Sequence, residues 1–254
     1  MKILESLQQK YRAGKKSIAV LVDPDKAEDP AKLKHLVNLA SENCVDYFFV
    51  GGSLITTPNI GEVIQTIKED VTIPVVLFPG SSVHIDPSAD AILFLSLISG
   101  RNPDLLIGQH VQAAPILKNS RIEILPTGYM LISSGRITSV AYISNTTPIP
   151  EDKYSLAACT AIAGEMLGLR LIYMDAGSGA DREISQRMIS TVRKSIGIPL
   201  IVGGGINTPE KAFKALEAGA DMIVIGNALE KSPDLLSEIS DKVYDWNQSV
   251  EAGK

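Results

Sequence analysis

At 254 residues, of which 45% are hydrophobic and 21% charged, the chain has the length of one α/β barrel and the apolar content for a large core, which excludes an extended disordered protein. A formal net charge of −5 excludes sequence-independent binding to nucleic acid, which needs a basic footprint to displace counterions from phosphates. Cys44 and Cys159 stand alone, with neither disulfide nor metal spacing, which points to a reducing cytoplasm. Residues 1–16 lack the apolar heart of a signal peptide, and no run of about 18 apolar residues occurs, so no membrane span is expected.

Short continuous apolar runs recur at residues 18–22, 47–50, 75–78, 91–95, 122–125, 169–174, 200–202 and 222–225. Such runs read as strands buried on both faces, hence parallel. The segments between them carry helix start signals, a capping residue followed by proline: Asp29-Pro30, Thr57-Pro58, Asn102-Pro103, Thr208-Pro209 and Ser232-Pro233. Leu33, Leu36, Val37 and Ala40 then form one apolar face, as do Ile184, Met188, Ile189 and Val192. Strand followed by helix, eight times over, predicts an α/β fold, a (β/α)8 TIM barrel of right-handed units, with residues 1–254 as a single domain. The alternative is an open doubly wound sheet, whose first turn needs a GxGxxG fingerprint that Asp23-Pro24-Asp25-Lys26 does not supply.

A barrel gathers function after the carboxyl ends of its strands. The residues that follow the runs are Asp23-Pro24-Asp25, Gly51-Gly52-Ser53, Pro79-Gly80, Ser96, Pro126-Thr127-Gly128-Tyr129, Asp175 with Gly177-Ser178-Gly179, Gly203-Gly204-Gly205, and Gly226-Asn227. Two segments break the rhythm. Residues 131–150 read as a strand extension or hairpin over the barrel mouth, a lid or wall. Residues 154–167 read as a helix crowded with small side chains, among them Ala157, Ala158, Cys159, Ala161, Ala163 and Gly164.

Backbone amides in glycine turns and at helix N-termini point outward unpaired, and the helix dipole adds partial positive charge, so an anion is held there without a lysine. One glycine turn is only a tight turn. Glycine turns in the last three loops, after strands 6, 7 and 8, predict one shared phosphate. Asp175 stands directly after an apolar run, with Gly177-Ser178-Gly179 between it and the next helix. It is the candidate general base for a hydroxyl, which is a weak nucleophile until a positioned carboxylate takes its proton; the competing role is satisfying amides at a helix start.

Asp23 and Asp25 flank Pro24, and one or two carboxylates at a strand end suit Mg²⁺, which keeps waters and takes substrate phosphate oxygens. Asp-Pro-Asp is equally good turn chemistry, with Asp25 paired to Lys26. Ser53 offers a hydroxyl ligand from the next loop. His110 lies in a helix-like stretch as an interface or core residue, His35 sits on a surface helix, and His84 belongs to no motif. Tyr129 ends the fifth strand, where its hydroxyl meets either a ligand or a protein partner.

Taken in order, Asp23-Pro24-Asp25-Lys26, Gly51-Gly52-Ser53, Pro126-Thr127-Gly128-Tyr129, the run from Tyr173 through Asp175 to Ala180, Gly203-Gly204-Gly205-Ile206 and Val224-Ile225-Gly226-Asn227 resemble one family. It is the geranylgeranylglyceryl phosphate synthase family, which includes the bacterial heptaprenylglyceryl phosphate synthases, in its second, longer group. The resemblance covers residues 20–228. It implies a barrel prenyltransferase that joins a long-chain prenyl diphosphate, geranylgeranyl diphosphate in the first place, to sn-glycerol 1-phosphate. The product is an ether-lipid precursor destined for the membrane, and diphosphate is released with Mg²⁺ bound.

By motif position the resemblance implies Asp23 and Ser53 as metal positions, and glycerol phosphate on Tyr173, Gly177, Ser178, Gly179, Gly204, Gly205, Gly226 and Asn227. Tyr129 falls where the family keeps an active-site tyrosine, and the family forms homo-oligomers, dimers or hexamers. The small residues of the 154–167 helix, or the apolar region at 92–98, would line the prenyl tunnel. Two departures stand out. The family's strand-six motif usually carries Glu where this chain has Asp175, and some members carry a lysine where this chain has Leu21, which leaves the phosphate to the amides. The expected chemistry is attack of the glycerol hydroxyl on the prenyl carbon while Asp175 takes the proton and Mg²⁺ at Asp23 neutralises the diphosphate. The rivals are a sugar-phosphate isomerase or aldolase on the same barrel, which needs paired Asp or a Schiff-base lysine, and a non-catalytic phosphate-binding barrel.

Overall fold

The computed structural model describes residues 2–253 and turns each apolar run into a strand. These are β1 (Ser17–Val22), β2 (Tyr47–Gly52), β3 (Val75–Pro79), β4 (Ala91–Leu97), β5 (Glu123–Leu131), β6 (Leu171–Asp175), β7 (Leu200–Gly203) and β8 (Met222–Ile225). All pair in parallel in sequence order, and β8 closes on β1. The runs are apolar throughout because successive residues serve two cores. Tyr47, Phe49, Val76, Leu93, Leu125 and Tyr173 fill the barrel, whereas Phe48, Val50, Leu77, Ile92, Ile172 and Met174 face the helices outside it. Removing one such aromatic or aliphatic side chain from water contributes about 1.5–3 kcal/mol.

The helices are α1 (Ile3–Ala13), α2 (Pro30–Glu42), α3 (Ile60–Asp70), α4 (Gln109–Lys118), α5 (Ser139–Ser144), α6 (Tyr154–Met166), α7 (Gln186–Arg193), α8 (Pro209–Glu217), α9 (Asn227–Lys231) and α10 (Leu235–Ala252). Two of the cap-proline signals work as read. The Asp29 carboxylate accepts from the Ala31 and Lys32 amides, and the Thr208 hydroxyl from Lys211, each with proline next in the helix. The other three shift. After Thr57-Pro58 the helix waits until Ile60, after Ser232-Pro233 until Leu235, and Asn102-Pro103 opens a wide π-type turn at Asp104–Gly108 that runs into α4. In the last case the Asn102 side chain accepts from Asp104 at 3.1 Å.

Two readings need correction. Pro126 to Tyr129 is strand, not the loop after it, because β5 continues to Leu131. Proline is tolerated there because the Pro126 carbonyl meets the Arg170 amide at 2.9 Å, and the register with β6 begins only at Thr127. Residues 131–150 form no hairpin. The chain returns through α5, which ends on Asn145 in the left-handed region, and Ile132 pairs with Ile149 in a parallel bridge. Among the described residues no helix is long and apolar enough to cross a membrane.

The far end of the barrel is stoppered. Ile3 and Leu7 of α1 join the interior core, and the Glu123 carboxylate accepts from the Ile3 and Leu4 amides at 2.7 and 3.1 Å. Beside it Asp221 is buried, which pushes its carboxyl up against the opposing pull of the Leu200 amide, Arg193 and Lys16. Arg193 meets it at 2.7 Å and also donates to the Ile196 and Ile198 carbonyls, whereas Lys16 stays at 3.9 Å. Removing one member of a buried pair strands the other charge. Arg193→Met is therefore expected to lower stability by about 3 kcal/mol, read from the midpoint of a urea unfolding curve, with an unchanged midpoint counting against this account.

Candidate active site

Asp175 is the last residue of β6, and strand alternation turns it into the barrel with Leu171 and Tyr173. Its side chain is 7% exposed. Both oxygens have donors: the Tyr129 hydroxyl at 2.5 Å on one and the Gly177 amide at 2.7 Å on the other. Burial pushes its carboxyl above the usual range, while the two hydrogen bonds pull the other way. Tyr129 stands opposite Tyr173 in the register of β5 and β6. Burial, then the Asp175 charge, drives its phenol well upward, so it stays protonated and donates. Phe78 on β3 stacks on Tyr173 at 5.4 Å and meets Tyr129 edge-on at 5.9 Å, completing an aromatic floor.

The three glycine turns converge as their order in the barrel requires. Gly204 has φ +79°, and a Cβ there would stand 2.7 Å from both the Ala176 amide nitrogen and an Asp175 oxygen. Only glycine permits this approach of the loop after β7 to the loop after β6. From the loop after β8, the Asn227 side-chain amide donates to the Ser178 hydroxyl at 2.9 Å. Gly226 lies against the Leu21 side chain. Lys26, from the loop after β1, donates to the Asn227 side-chain oxygen at 2.6 Å. Gly177, Ser178, Gly179, Gly204, Gly205, Gly226 and Asn227 thus share one rim of the mouth, together with Lys26, which the sequence marked as a partner for Asp25, while Tyr173 lies below them in the barrel floor.

Asp23 lies on the neighbouring rim. One of its oxygens accepts from the Asp25 amide at 3.2 Å, and the other is 3.9 Å from the Lys26 ammonium. Asp25 turns away. Its carboxylate accepts from the Thr56 and Thr57 amides at 2.9 to 3.0 Å, which lowers its pKa and fastens the loop after β2. The turn reading therefore fits Asp25 with its partner corrected: Thr56 and Thr57 hold its carboxylate, and it is Asp23 that stands 3.9 Å from the Lys26 ammonium. Gly52 sits beside Asp23, and Ser53 opens onto a cavity. Among the described residues no group of three or more His, Cys, Asp or Glu could enclose a metal.

That cavity, of about 310 Å³, runs from Ser53 and Tyr129 between the ends of β3 and β4 toward the π-type turn and α4. Phe78, Leu93, Leu95, Leu97 and Leu105 line it, and Val140 and Ile143 of the α5 region form one wall. The apolar stretch at 92–98 supplies the lining; the small residues of α6 do not, because Ala157 and Ala161 pack in the outer core. His110 is part of the wall, edge-on to Phe94 at 4.4 Å, with its pKa lowered by burial. His84, which no motif flagged, accepts from the Gly80 amide through Nδ1 at 3.2 Å. It fixes the turn after β3, and a Pro-Gly turn followed four residues on by His is the signal that could have found it. His35 is exposed on α2. Asp175 is thus joined through Tyr129 to the lining of the apolar cavity and through the Gly177 amide to the glycine rim.

The model of the PcrB family matches residues 11–243. A protein of Spirosoma linguale named geranylgeranylglyceryl phosphate synthase is 58% identical over 94% of this chain and 95% of its own. One of the same name from Chitinophaga pinensis is 52% identical over 96% of both. Among solved structures, the (S)-3-O-geranylgeranylglyceryl phosphate synthase of Thermoplasma acidophilum, in complex with its substrate sn-glycerol-1-phosphate, superposes with a TM-score of 0.90 at 34% identity, covering 96% of this chain and 99% of that one. Across nearly its whole length, then, this chain belongs to the PcrB family, with the geranylgeranylglyceryl phosphate synthases.

Proposed function

We propose that this chain transfers the prenyl group of a prenyl diphosphate, geranylgeranyl diphosphate by the names of its relatives, to sn-glycerol 1-phosphate. The observation that carries the reading is the buried Asp175 carboxylate, bonded on one side to Tyr129, which lines the apolar cavity, and on the other to Gly177 of the glycine rim. The phosphate of the acceptor rests on the amides of 178–179, 204–205 and 226–227. One of its two free hydroxyls, the 3-hydroxyl by the name of the solved relative, attacks the first prenyl carbon as the bond from that carbon to diphosphate breaks, and Asp175 takes the hydroxyl proton. An ether forms and diphosphate leaves. Tyr129 and the Gly177 amide hold the carboxylate in one orientation. The apolar lining keeps water from the carbon while positive charge develops on it.

Asp23 and Ser53 fit one Mg²⁺. Asp23 is 28% exposed in its side chain, and a single carboxylate with a single hydroxyl suits an ion that retains water and binds phosphate oxygens. When bound, the ion supplies charge neutralisation for the leaving diphosphate. Assembly as a homo-oligomer in the cytoplasm belongs to the same reading.

Three outcomes are expected. Asp175→Ala should lower kcat by roughly 10²- to 10⁴-fold in transfer to radiolabelled sn-glycerol 1-phosphate; equal rates would remove Asp175 from the mechanism. Tyr129→Phe deletes a hydrogen bond that holds the Asp175 pKa down. Since the base must be ionised, activity is lost as pH falls through that pKa, and the acid limb of the kcat profile should move to higher pH in the variant. Excess chelator should abolish turnover and added Mg²⁺ restore it, whereas full activity in chelator would dispose of the metal.

A further inference from the structure

Amides and helix ends present only partial charges, whereas a phosphate monoester carries close to two negative charges at neutral pH. The protein's net charge of −5 adds no long-range attraction. β1 brings no cation to the rim, because Leu21 packs against Gly226. Each of four cations near the mouth faces a carboxylate: Lys211 is 3.1 Å from Glu183, Arg182 is 3.0 Å from Glu151, Arg136 is 3.4 Å from Asp181 and Lys26 is 3.9 Å from Asp23. Lys26 differs in where it reaches. Its ammonium donates at 2.6 Å to Asn227, whose side-chain amide donates in turn to Ser178 at 2.9 Å. The line from Lys26 through Asn227 to Ser178 spans the mouth from the loop after β1 to the loop after β6, over the amides of 226–227 and 178–179.

We infer that Lys26 is the cation of the phosphate site, donating to a phosphate oxygen of the glycerol substrate from the loop after β1, beside the turn of Gly226 and Asn227. The inference rests on the reading of the chain as a glycerol-phosphate prenyltransferase. The Lys26 ammonium touches the side chain of Asn227, a residue of the turn that seats the phosphate in that reading. The same ammonium stands 3.9 Å from Asp23, so it separates the acceptor phosphate from the carboxylate on the neighbouring rim and screens one negative group from the other. Lys26 comes after its strand, across a three-residue helical turn (Pro24–Lys26) that Asp23 caps. The loop after β1 thereby supplies from above the charge that Leu21 does not supply from the strand itself.

The test is calorimetric binding of sn-glycerol 1-phosphate in chelator-containing buffer to the wild type, Lys26→Met and Lys26→Arg, at several salt concentrations, with melting curves confirming that each is folded. Loss of a charge-assisted hydrogen bond should weaken binding to Lys26→Met by roughly 10- to 100-fold. It should also flatten the salt dependence, with Lys26→Arg keeping both. Wild-type affinity in Lys26→Met overturns the inference. So does weaker binding with the wild-type salt dependence, which would make Lys26 only a support for Asn227. A wild type that binds and transfers while Lys26→Met matches it sinks the inference alone; a wild type that neither binds nor transfers sinks the proposed function with it.

Discussion

A carboxylate inside an apolar barrel costs several kcal/mol unless donors reach both of its oxygens, and the mouth of this barrel is arranged around that demand at Asp175. One donor comes from the neighbouring strand, the Tyr129 hydroxyl, and one from the carboxylate's own loop, the Gly177 amide. Each brings a second requirement. A buried phenol beside a carboxylate must stay protonated, which the apolar floor of Phe78 and Tyr173 enforces. An amide that folds back on its own strand end needs a sharp turn, and Gly177 at φ +88° makes it.

The turn in turn governs the loops beside it. Because residues 175–177 crowd the strand end, the loop after β7 comes close only as glycine, and Gly204 does so. The loop after β8 then closes the rim through Asn227 and Ser178. The proposed phosphate rim and the proposed base share one construction, since the Gly177 amide that fixes the Asp175 carboxylate opens the turn on which Ser178 and Gly179 lie. A change meant to affect one is felt by the other.

The barrel was legible because each strand is apolar on two faces, and that pattern survives in the letters. The glycine turns of the last three loops were legible for a similar reason: a positive φ or a close approach leaves glycine behind in the sequence. What could not be read were relations set by packing. The true end of β5 depends on where β6 starts to pair, so Pro126 looked like a stop. The path of 131–150 depends on α5 docking at the mouth, and a six-residue helix leaves too few apolar positions for a periodic signal. Lys26 acts across the chain, on Asn227, and no spacing announces such a partner.

The shorter acid at position 175 follows from the same geometry. The resemblance leads one to expect glutamate, with a reach one methylene greater. Aspartate alone closes the local turn seen here, in which the side-chain oxygen accepts from the amide two residues on. That turn fixes the carboxylate against its own backbone and leaves its other oxygen to Tyr129. A glutamate has more rotamers to freeze, and its longer stem would carry the carboxyl past the Gly177 amide. The loss of reach is thus accompanied by a gain in orientation, and in the proposed reaction the acceptor hydroxyl comes to Asp175 because the carboxylate is held still. A pocket of this kind depends on how well the phosphate end of the acceptor is anchored, since only that end decides where the hydroxyl stands.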